Sequence, residues 1–551
     1  MHILTHFHKG QIARLKEIAT VLAMYGFREI FTHLPVPGKF ILPRAQKELA
    51  GRPRSVRLRM ALEELGATFI KLGQFASIRP DILPAEYITE LSKLQDDVKP
   101  TPFEEIEAYF KEEWGPKWRN NFVTFIERPV AGASISQVYK GRLAGGEVVA
   151  VKVRRPGIKK QINADIDILK FITEFLEEKF DFARTFQPVR MVNDFSINLK
   201  REIDFKREAI IINKIRCNHR DFEGVIIPEV YEELTTDGIL VMEFINGCPI
   251  DKAEIKRKEG RRLAELGVRV LTKQIMTDGL FHADPHPGNL IYTEDGRLSY
   301  LDFGLAGRLS TTMKNHLTDI FLALYSGEAE WILQEVLTIS ELSREIDREA
   351  LLREIMEIKD KYMGVALKNI SMGRAFMEIF NLIRTHDIRV SPAYSYVGKA
   401  VLTLENTARS LDEDIDIMAI LEPQLKRIAI QRYSPKNLWV NFRMLLKDTS
   451  RFVKDFPLQI REVFKKLKSG QLEIEFRHMG LEELIKTLDK LSNRLSFSLI
   501  IAALIIGSSL IIQLQVGPTF FGFSAFGLTG YLLASFLGIW LLWSIIRSGR
   551  L

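Results

Sequence analysis

Cysteine is scarce: the 551 residues hold two, Cys217 and Cys248, with no CxxC pair. That leaves neither a disulfide framework nor a cysteine-based metal knot, and it fits a reducing compartment. A GxGxxG dinucleotide turn and a redox metal set are also missing, which argues against hydroxylation or other redox chemistry. No dense basic stripe interleaved with aromatics occurs. The net charge of +7 is mild for this length; nucleic acid is not the expected partner, whereas the face of an anionic membrane suits it. The N-terminus lacks a signal-peptide profile, because Glu17 and Glu29 interrupt it and no small-residue cleavage site follows. Those acids also argue against a mitochondrial transit peptide.

One further absence is local. From Leu495 to Ile546 the chain has no Asp, Glu, Lys, Arg or His. Two apolar runs of spanning length flank a break at Gly517–Pro518, so a transmembrane hairpin is expected at Phe497–Val516 and about Ala525–Ile546. Lys486, Lys490 and Arg494 precede it, Arg547 and Arg550 follow it, and the connecting loop is uncharged. The positive-inside tendency then places both ends, and the large N-terminal part, on the cytoplasmic side of an inner membrane. Ala503–Gly507 and Ala534–Gly538 are small-xxx-small pairs that would let the two helices approach.

Elsewhere there is no internal repeat or low-complexity tract. Residues 1–120 read as helical, with an i, i+4, i+7 stripe at Leu58, Leu62, Leu65, Phe69 and Leu72. Residues 121–249 change character. "FVTFIERPV", "SISQVYKGRL" and "EVVAVKVR" are β-rich, the last two joined by a turn at Ala144-Gly145-Gly146, then helix at about 158–216 and two short strands, "GVIIPEV" and "GILVMEF". Residues 250–480 are mostly helical, ending in a linker, "KKLKSGQLEIEFRHMG", before the membrane anchor at 481–551.

Four features then follow in the order phosphoryl transfer requires. Lys152 sits mid-strand in "VVAVKV", with Val151 and Val153 pointing to the other face, and its natural partners are phosphates and a helix carboxylate. "REIDFKREA" offers Glu202, Asp204 and Glu208, the last two at i and i+4. In "FHADPHPGN", Asp284 precedes Asn289 at the spacing of a catalytic aspartate and a metal-holding asparagine. "YLDFG" supplies Asp302 as the magnesium carboxylate. The cluster His282, Asp284, His286 invites a zinc or iron reading, but Pro285 and Pro287 make a rigid loop rather than a strand presenting alternate ligands. The histidines are therefore expected to fix the loop by hydrogen bonds.

These residues resemble the UbiB-like atypical kinases, the ADCK-type proteins associated with ubiquinone biosynthesis, over roughly residues 20–546. "KLGQFASIRPDILP" is similar to that family's KxGQ element, "AGASISQVYKG" to its Ala-rich nucleotide loop, "EIDFKREA" to its ExD element and "FHADPHPGN" to its catalytic loop. The resemblance implies an α+β, kinase-like two-lobe fold with a helical N-terminal extension and a C-terminal transmembrane hairpin. It implies that ATP and Mg²⁺ bind between the lobes, with Ala131, Gly132, Ala133 and Ser134 at the phosphates and Met242, Glu243 and Phe244 as the adenine-side connector. Glu208 would pair with Lys152. Lys71 and Gln74, on one helical face, would point into the pocket with Glu202 and Asp204 receiving Lys71. The loop departs from the pattern in having Gly132 between its alanines, and the catalytic loop has no arginine before Asp284. The implied function is a membrane-anchored ATPase supporting isoprenoid-quinone synthesis, its partners anionic lipid and quinone-biosynthesis enzymes or phenolic precursors. The alternatives are a protein or small-molecule kinase and a nucleotide-binding scaffold without catalysis.

Overall fold

The computed structural model describes residues 9–31, 43, 49, 51–77, 79, 83–94, 100–179, 188–341, 346–362, 371–386, 388–432, 481–514, 517–520 and 523–547. The chain forms two compact units, Met1–Trp439 and Val440–Leu551.

The first unit opens with helices α1 (Lys9–Met24), α2 (Arg54–Leu65), α3 (Ala67–Ser77), α4 (Ala85–Leu91) and α5 (Phe103–Trp114). The apolar stripe Leu58–Leu72, continuous in sequence, is split between α2 and α3. Gly66 takes φ 91 at the junction, a left-handed conformation that interrupts the helix. The apolar positions stay in phase across this break, so Leu62, Leu65 and Phe69 are all buried in one cluster. Gly73 has a different role: a Cβ there would lie 2.2 Å from Leu94 Cδ1 and 2.9 Å from Leu62 Cδ1, so any larger residue would have to displace these two leucine side chains.

An antiparallel sheet follows: β1 (Phe122–Gly132), β2 (Ser136–Leu143) and β3 (Val148–Arg154). The turn expected between the last two strands is present, Gly146 at φ 97 donating its N–H to the Leu143 carbonyl. Helices α6 (Ile158–Lys179), α7 (Pro188–Glu202) and α8 (Phe205–Asn218) occupy the single helical stretch read from sequence. The two short strands then part company. β4 (Val225–Ile226) joins a second sheet, while β5 (Ile239–Glu243) completes the first in the order β1-β2-β3-β5. On β3, Val151 and Val153 are buried among Val241, Ile239 and the aromatics of α5, which leaves Lys152 on the opposite face.

Next come β6 (Gly247–Pro249), α9 (Arg257–Thr272), β7 (Leu280–His282), β8 (Leu290–Thr293), β9 (Leu298–Tyr300) and β10 (Ala306–Arg308). The second sheet runs β4-β9-β8-β6, and β7 pairs with β10. The remainder is mostly helical, as expected, with α10 (Thr311–Ser326), α11 (Ala329–Thr338), α12 (Arg348–Tyr362), α13 (Met372–Thr385), α14 (Pro392–Leu411) and α15 (Ile417–Arg432), and one short antiparallel pair, Ser340–Glu341 with Arg389–Val390, among them. These helices enclose one large apolar cluster that includes Phe321, Phe376, Phe380 and Val397. The fold is α+β.

The second unit contains α16 (Leu481–Gln513) and α17 (Ala525–Arg547), which pack as a hairpin. Leu491–Gln513 and Ala525–Trp543 are long and apolar enough to cross a membrane, and little of either is covered. Val516, the expected end of the first span, and the linker at 465–480 lie outside the described residues. Of the small-xxx-small pairs only Ala534 is covered, at 2 % exposed, whereas a Cβ on Gly507 or Gly538 would meet nothing within 4 Å. Closest approach falls on Ser508, whose Oγ would be 2.1 Å from a Cβ on Gly530 and whose carbonyl O would be 3.1 Å from one on Gly527.

Candidate active site

Lys152 is 7 % exposed and lies at the centre of the site. Its Nζ donates to both carboxylate oxygens of Glu208, at 2.8 and 3.0 Å, and to Asp302 Oδ1 at 2.8 Å. Three parts of the chain supply the triad. β3 supplies the lysine, the first turn of α8 supplies Glu208, and the DFG turn after β9 supplies Asp302. Asp204, expected beside Glu208 on one helix face, instead stands just outside α8 as its N-cap, accepting the Arg207 N–H at 3.1 Å. That cap starts α8 where Glu208 falls one turn in and is buried.

The charges are interlocked. Burial opposes the charge on Lys152, but Asp302 and Glu208 outweigh it and hold the amine protonated well above the ordinary lysine value. Burial pushes Glu208 up to about 7, against the pull of Lys152 and with help from the negative charge on Asp302. Burial opposes Asp302 as well, yet Lys152 and then Lys71 keep it far below the usual carboxylate range. Asp302 is also the sole non-glycine residue at positive φ, 50°, among the described residues.

Lys71, on α3, reaches this group: its Nζ is 2.5 Å from Glu202 Oε1, both side chains being largely buried. Glu202 in turn lies against the DFG turn, where a Cβ on Gly304 would be 3.5 Å from Glu202 Cγ and 3.3 Å from Asp302 Oδ1. Gln74, one turn along, donates an amide N–H to the Leu94 carbonyl at 3.2 Å.

The histidines of the loop from His282 to Asn289 are used structurally. His282, fully buried, donates Nε2–H to the Leu301 carbonyl at 2.8 Å and accepts the Asp284 N–H on Nδ1 at 3.1 Å. Burial lowers its pKa, in keeping with this neutral tautomer. Its own N–H is held by Gln274 Oε1 at 3.0 Å, presented by a π-turn at Lys273–Asp278. The ring packs 5.1 Å from Phe303 of the DFG turn. His286 caps the short turn Pro287–Asn289, accepting the Gly288 N–H. Asn289 donates Nδ2–H to the Asp284 carbonyl at 3.2 Å, tying the two ends of the loop.

The carboxylate of Asp284 pairs with Lys399 on α14, Nζ to Oδ2 3.0 Å. Sequence reading missed Lys399, because nothing local to "YVGKAVL" marks it; only the fold brings it to the loop. Burial pushes Asp284 up, but Lys399 and His286 bring it below the ordinary aspartate value.

The residues expected to border a nucleotide are placed as follows. Ala131 and Gly132 end β1 opposite Val138 and Gln137, so Gly132 stays extended and its conformational freedom is unused. Ala133 donates to the Ser136 carbonyl at 2.8 Å and accepts from Arg155 Nε at 3.0 Å, closing the loop tightly. Ser134 is buried with its hydroxyl unpartnered. Met242 and Glu243 end β5, and Phe244 donates its N–H to Val148 at 2.9 Å under the Lys140 ammonium, 4.0 Å from its ring. Asp302 and Asn289 carry carboxylate and amide oxygens, a hard donor set that fits Mg²⁺.

Known proteins share this organisation. Residues 93–336 match the ABC1 atypical kinase-like domain, 355–416 the UbiB helical domain and 479–547 the ABC1/UbiB kinase-like C-terminal domain. The uncharacterized protein in the hydrogenase 1 5′ region of Clostridium pasteurianum is 35 % identical over 98 % of this chain and 100 % of its own. The Synechocystis protein sll1770 is 30 % identical over 82 % of this chain and 79 % of its own. Among solved structures, Rv3197 of Mycobacterium tuberculosis in complex with erythromycin is 22 % identical, with a TM-score of 0.47 over 66 % of this chain and 93 % of that one. Lys399 falls within the matched helical domain and the Lys152 triad within the matched kinase-like domain. With three domains matched in one chain and a relative aligned end to end, the chain belongs to the ABC1/UbiB family of atypical kinase-like proteins.

Proposed function

We propose that the protein is a membrane-anchored, kinase-like ATPase that uses Mg-ATP and supports isoprenoid-quinone synthesis. The observation that carries the phosphoryl-transfer part is the Lys152–Glu208–Asp302 triad: one buried ammonium held by a helix carboxylate and by the DFG aspartate. Such an arrangement positions a lysine for α/β phosphates and an aspartate for a metal. Asp302 and Asn289 would hold Mg²⁺, which neutralises charge developing on the transferred phosphoryl group. Ala131–Ser134 would lie over the phosphates, and Met242 to Phe244 would border the adenine. Asp284, kept anionic, would accept the proton of the attacking water or hydroxyl as its oxygen bonds to the γ-phosphorus and ADP leaves.

The membrane part is supported by the two apolar helices and the basic residues flanking them. The quinone part rests on family resemblance, together with the location of isoprenoid precursors in membranes. Anionic lipid and phenolic precursors are the expected partners, and the soluble part is assigned to the cytoplasmic side.

Phosphate release by full-length protein in vesicles, with Mg-ATP, tests the reading. Anionic lipid and a phenolic precursor mimic are each added and omitted. Release should fall at least tenfold in Asp302→Asn and rise with the added lipid or phenol. Equal release from wild type and Asp302→Asn would sink the phosphoryl-transfer reading, and indifference to both additions would sink the membrane and quinone parts.

A further inference from the structure

Between Asp284 and Asn289 the catalytic loop reads Pro-His-Pro-Gly, without lysine or arginine. A carboxylate that accepts a proton during phosphoryl transfer must be held in one orientation, and its charge must coexist with phosphates nearby. In this loop no side chain bonds the carboxylate, and the pull of His286 on it is smaller than that of Lys399. His286 is turned to its own backbone at Gly288, and Asn289 reaches the Asp284 carbonyl rather than the side chain.

The missing cation comes from far along the chain. Lys399 Nζ is 3.0 Å from Asp284 Oδ2, with the side chains 24 % and 29 % exposed. The lysine stands on a rigid element. Ser391 caps the start of α14, accepting the Ala393 N–H, and Pro392 occupies its first turn. Flanking Val397 and Ala400 are both fully buried. Gly398 lies so close to α13 that a Cβ would be 3.0 Å from Phe376 Cδ1 and 3.1 Å from Met377 Sδ. The backbone under Lys399 therefore has little freedom to shift, and the ammonium is presented to the loop at a fixed place.

We propose that Lys399 is a positioning residue for Asp284: from the helical domain it holds Oδ2, turns Oδ1 toward the acceptor, and supplies the positive charge the catalytic loop lacks. This rests on the phosphoryl-transfer reading above. It extends the site beyond the kinase-like domain, because one side chain of the adjoining helical domain completes it. An ion pair serving only stability would have a different signature, since losing it would lower the melting temperature and leave turnover alone.

The test compares full-length Lys399→Met and Lys399→Arg with Arg14→Met, which breaks a partly buried pair with Asp165. Lys399→Met should lower kcat for Mg-ATP-dependent phosphate release at least tenfold, with KM for ATP within twofold of wild type. Lys399→Arg should recover at least a third of kcat. Arg14→Met should lose melting temperature but not kcat. Wild-type kcat in Lys399→Met, or equal kcat losses in Lys399→Met and Arg14→Met, overturns the assignment. If wild type itself releases no phosphate, the functional reading fails. The positioning role is then decided by amide exchange over residues 282–289, which should be at least tenfold faster in Lys399→Met. Unchanged exchange there would remove it.

Discussion

Glu208 has the least comfortable position of any single residue in the site. It is buried, shares one lysine with a second carboxylate, and its pKa lies at about 7. A carboxyl whose folded value is raised favours the fold while it is protonated. That contribution is complete below the unfolded value near 4.5 and is lost as the pH rises through about 7. Nucleotide-free protein should therefore lose on the order of 1–3 kcal/mol between those limits relative to Glu208→Gln, which has no charge to bury. Melting curves of both proteins from pH 5 to 8 check this; parallel curves would mean that Glu208 stays ionised throughout. Lys152 and Asp284 could be read from sequence because strand alternation and the Asp-to-Asn spacing are local signals. Lys399 could not, since an ion pair across so much chain leaves no periodicity. Asp204 was placed on the wrong side of a helix start because an N-cap and a first-turn residue differ by rotation, not by spacing.

At the scale of elements, the KxGQ helix depends on its glycine for contact. α3 lies close against Leu62 and Leu94 at Gly73, and the same helix carries Lys71 to Glu202. Gly73→Ala puts a methyl into space already filled by two leucine side chains, an overpacking cost of about 1–3 kcal/mol. We expect a lower melting temperature together with a change in nucleotide affinity, because shifting α3 moves Lys71 relative to Asp302. A drop in stability with unchanged affinity would separate α3 from the site. The apolar stripe announced this region correctly as helical but concealed its break, since Gly66 re-enters the helix with the pattern in phase. In the apolar hairpin the two runs are plain from their length and lack of charge, but the contacting faces depend on the rotation of each helix: of the pairs Ala503–Gly507 and Ala534–Gly538 only Ala534 is covered, and Gly527 and Gly530 make the close approaches instead.

For the molecule as a whole, every candidate site residue lies in the unit Met1–Trp439, and the apolar helices lie in Val440–Leu551. A chain ended before Val440 should remain soluble in water and keep the rise in melting temperature that Mg-nucleotide gives the full-length protein. Failure of that truncated chain to fold, with the full-length protein stable in detergent, would show that the second unit completes the first. The α+β character and the order of the motifs were legible from end to end. The assignment of β4 and β5 to separate sheets was not, because two short apolar strands with turns around them look alike until pairing distinguishes them.

Position 302 places two demands on one side chain. Its φ of 50° favours residues that tolerate the left-handed region, and aspartate and asparagine are enriched there among non-glycine residues. Lys152 demands a negative charge there, as would the proposed metal. Asparagine satisfies the backbone alone and glutamate the charge alone, so aspartate has no conservative neighbour. Asp302→Asn is thus a clean charge deletion with the turn intact. Asp302→Glu should keep the charge yet lose on the order of 1 kcal/mol of stability to the backbone, and carry its carboxylate one methylene past Lys152. Backbone and charge together, rather than either alone, leave aspartate as the one side chain that meets both demands at this position.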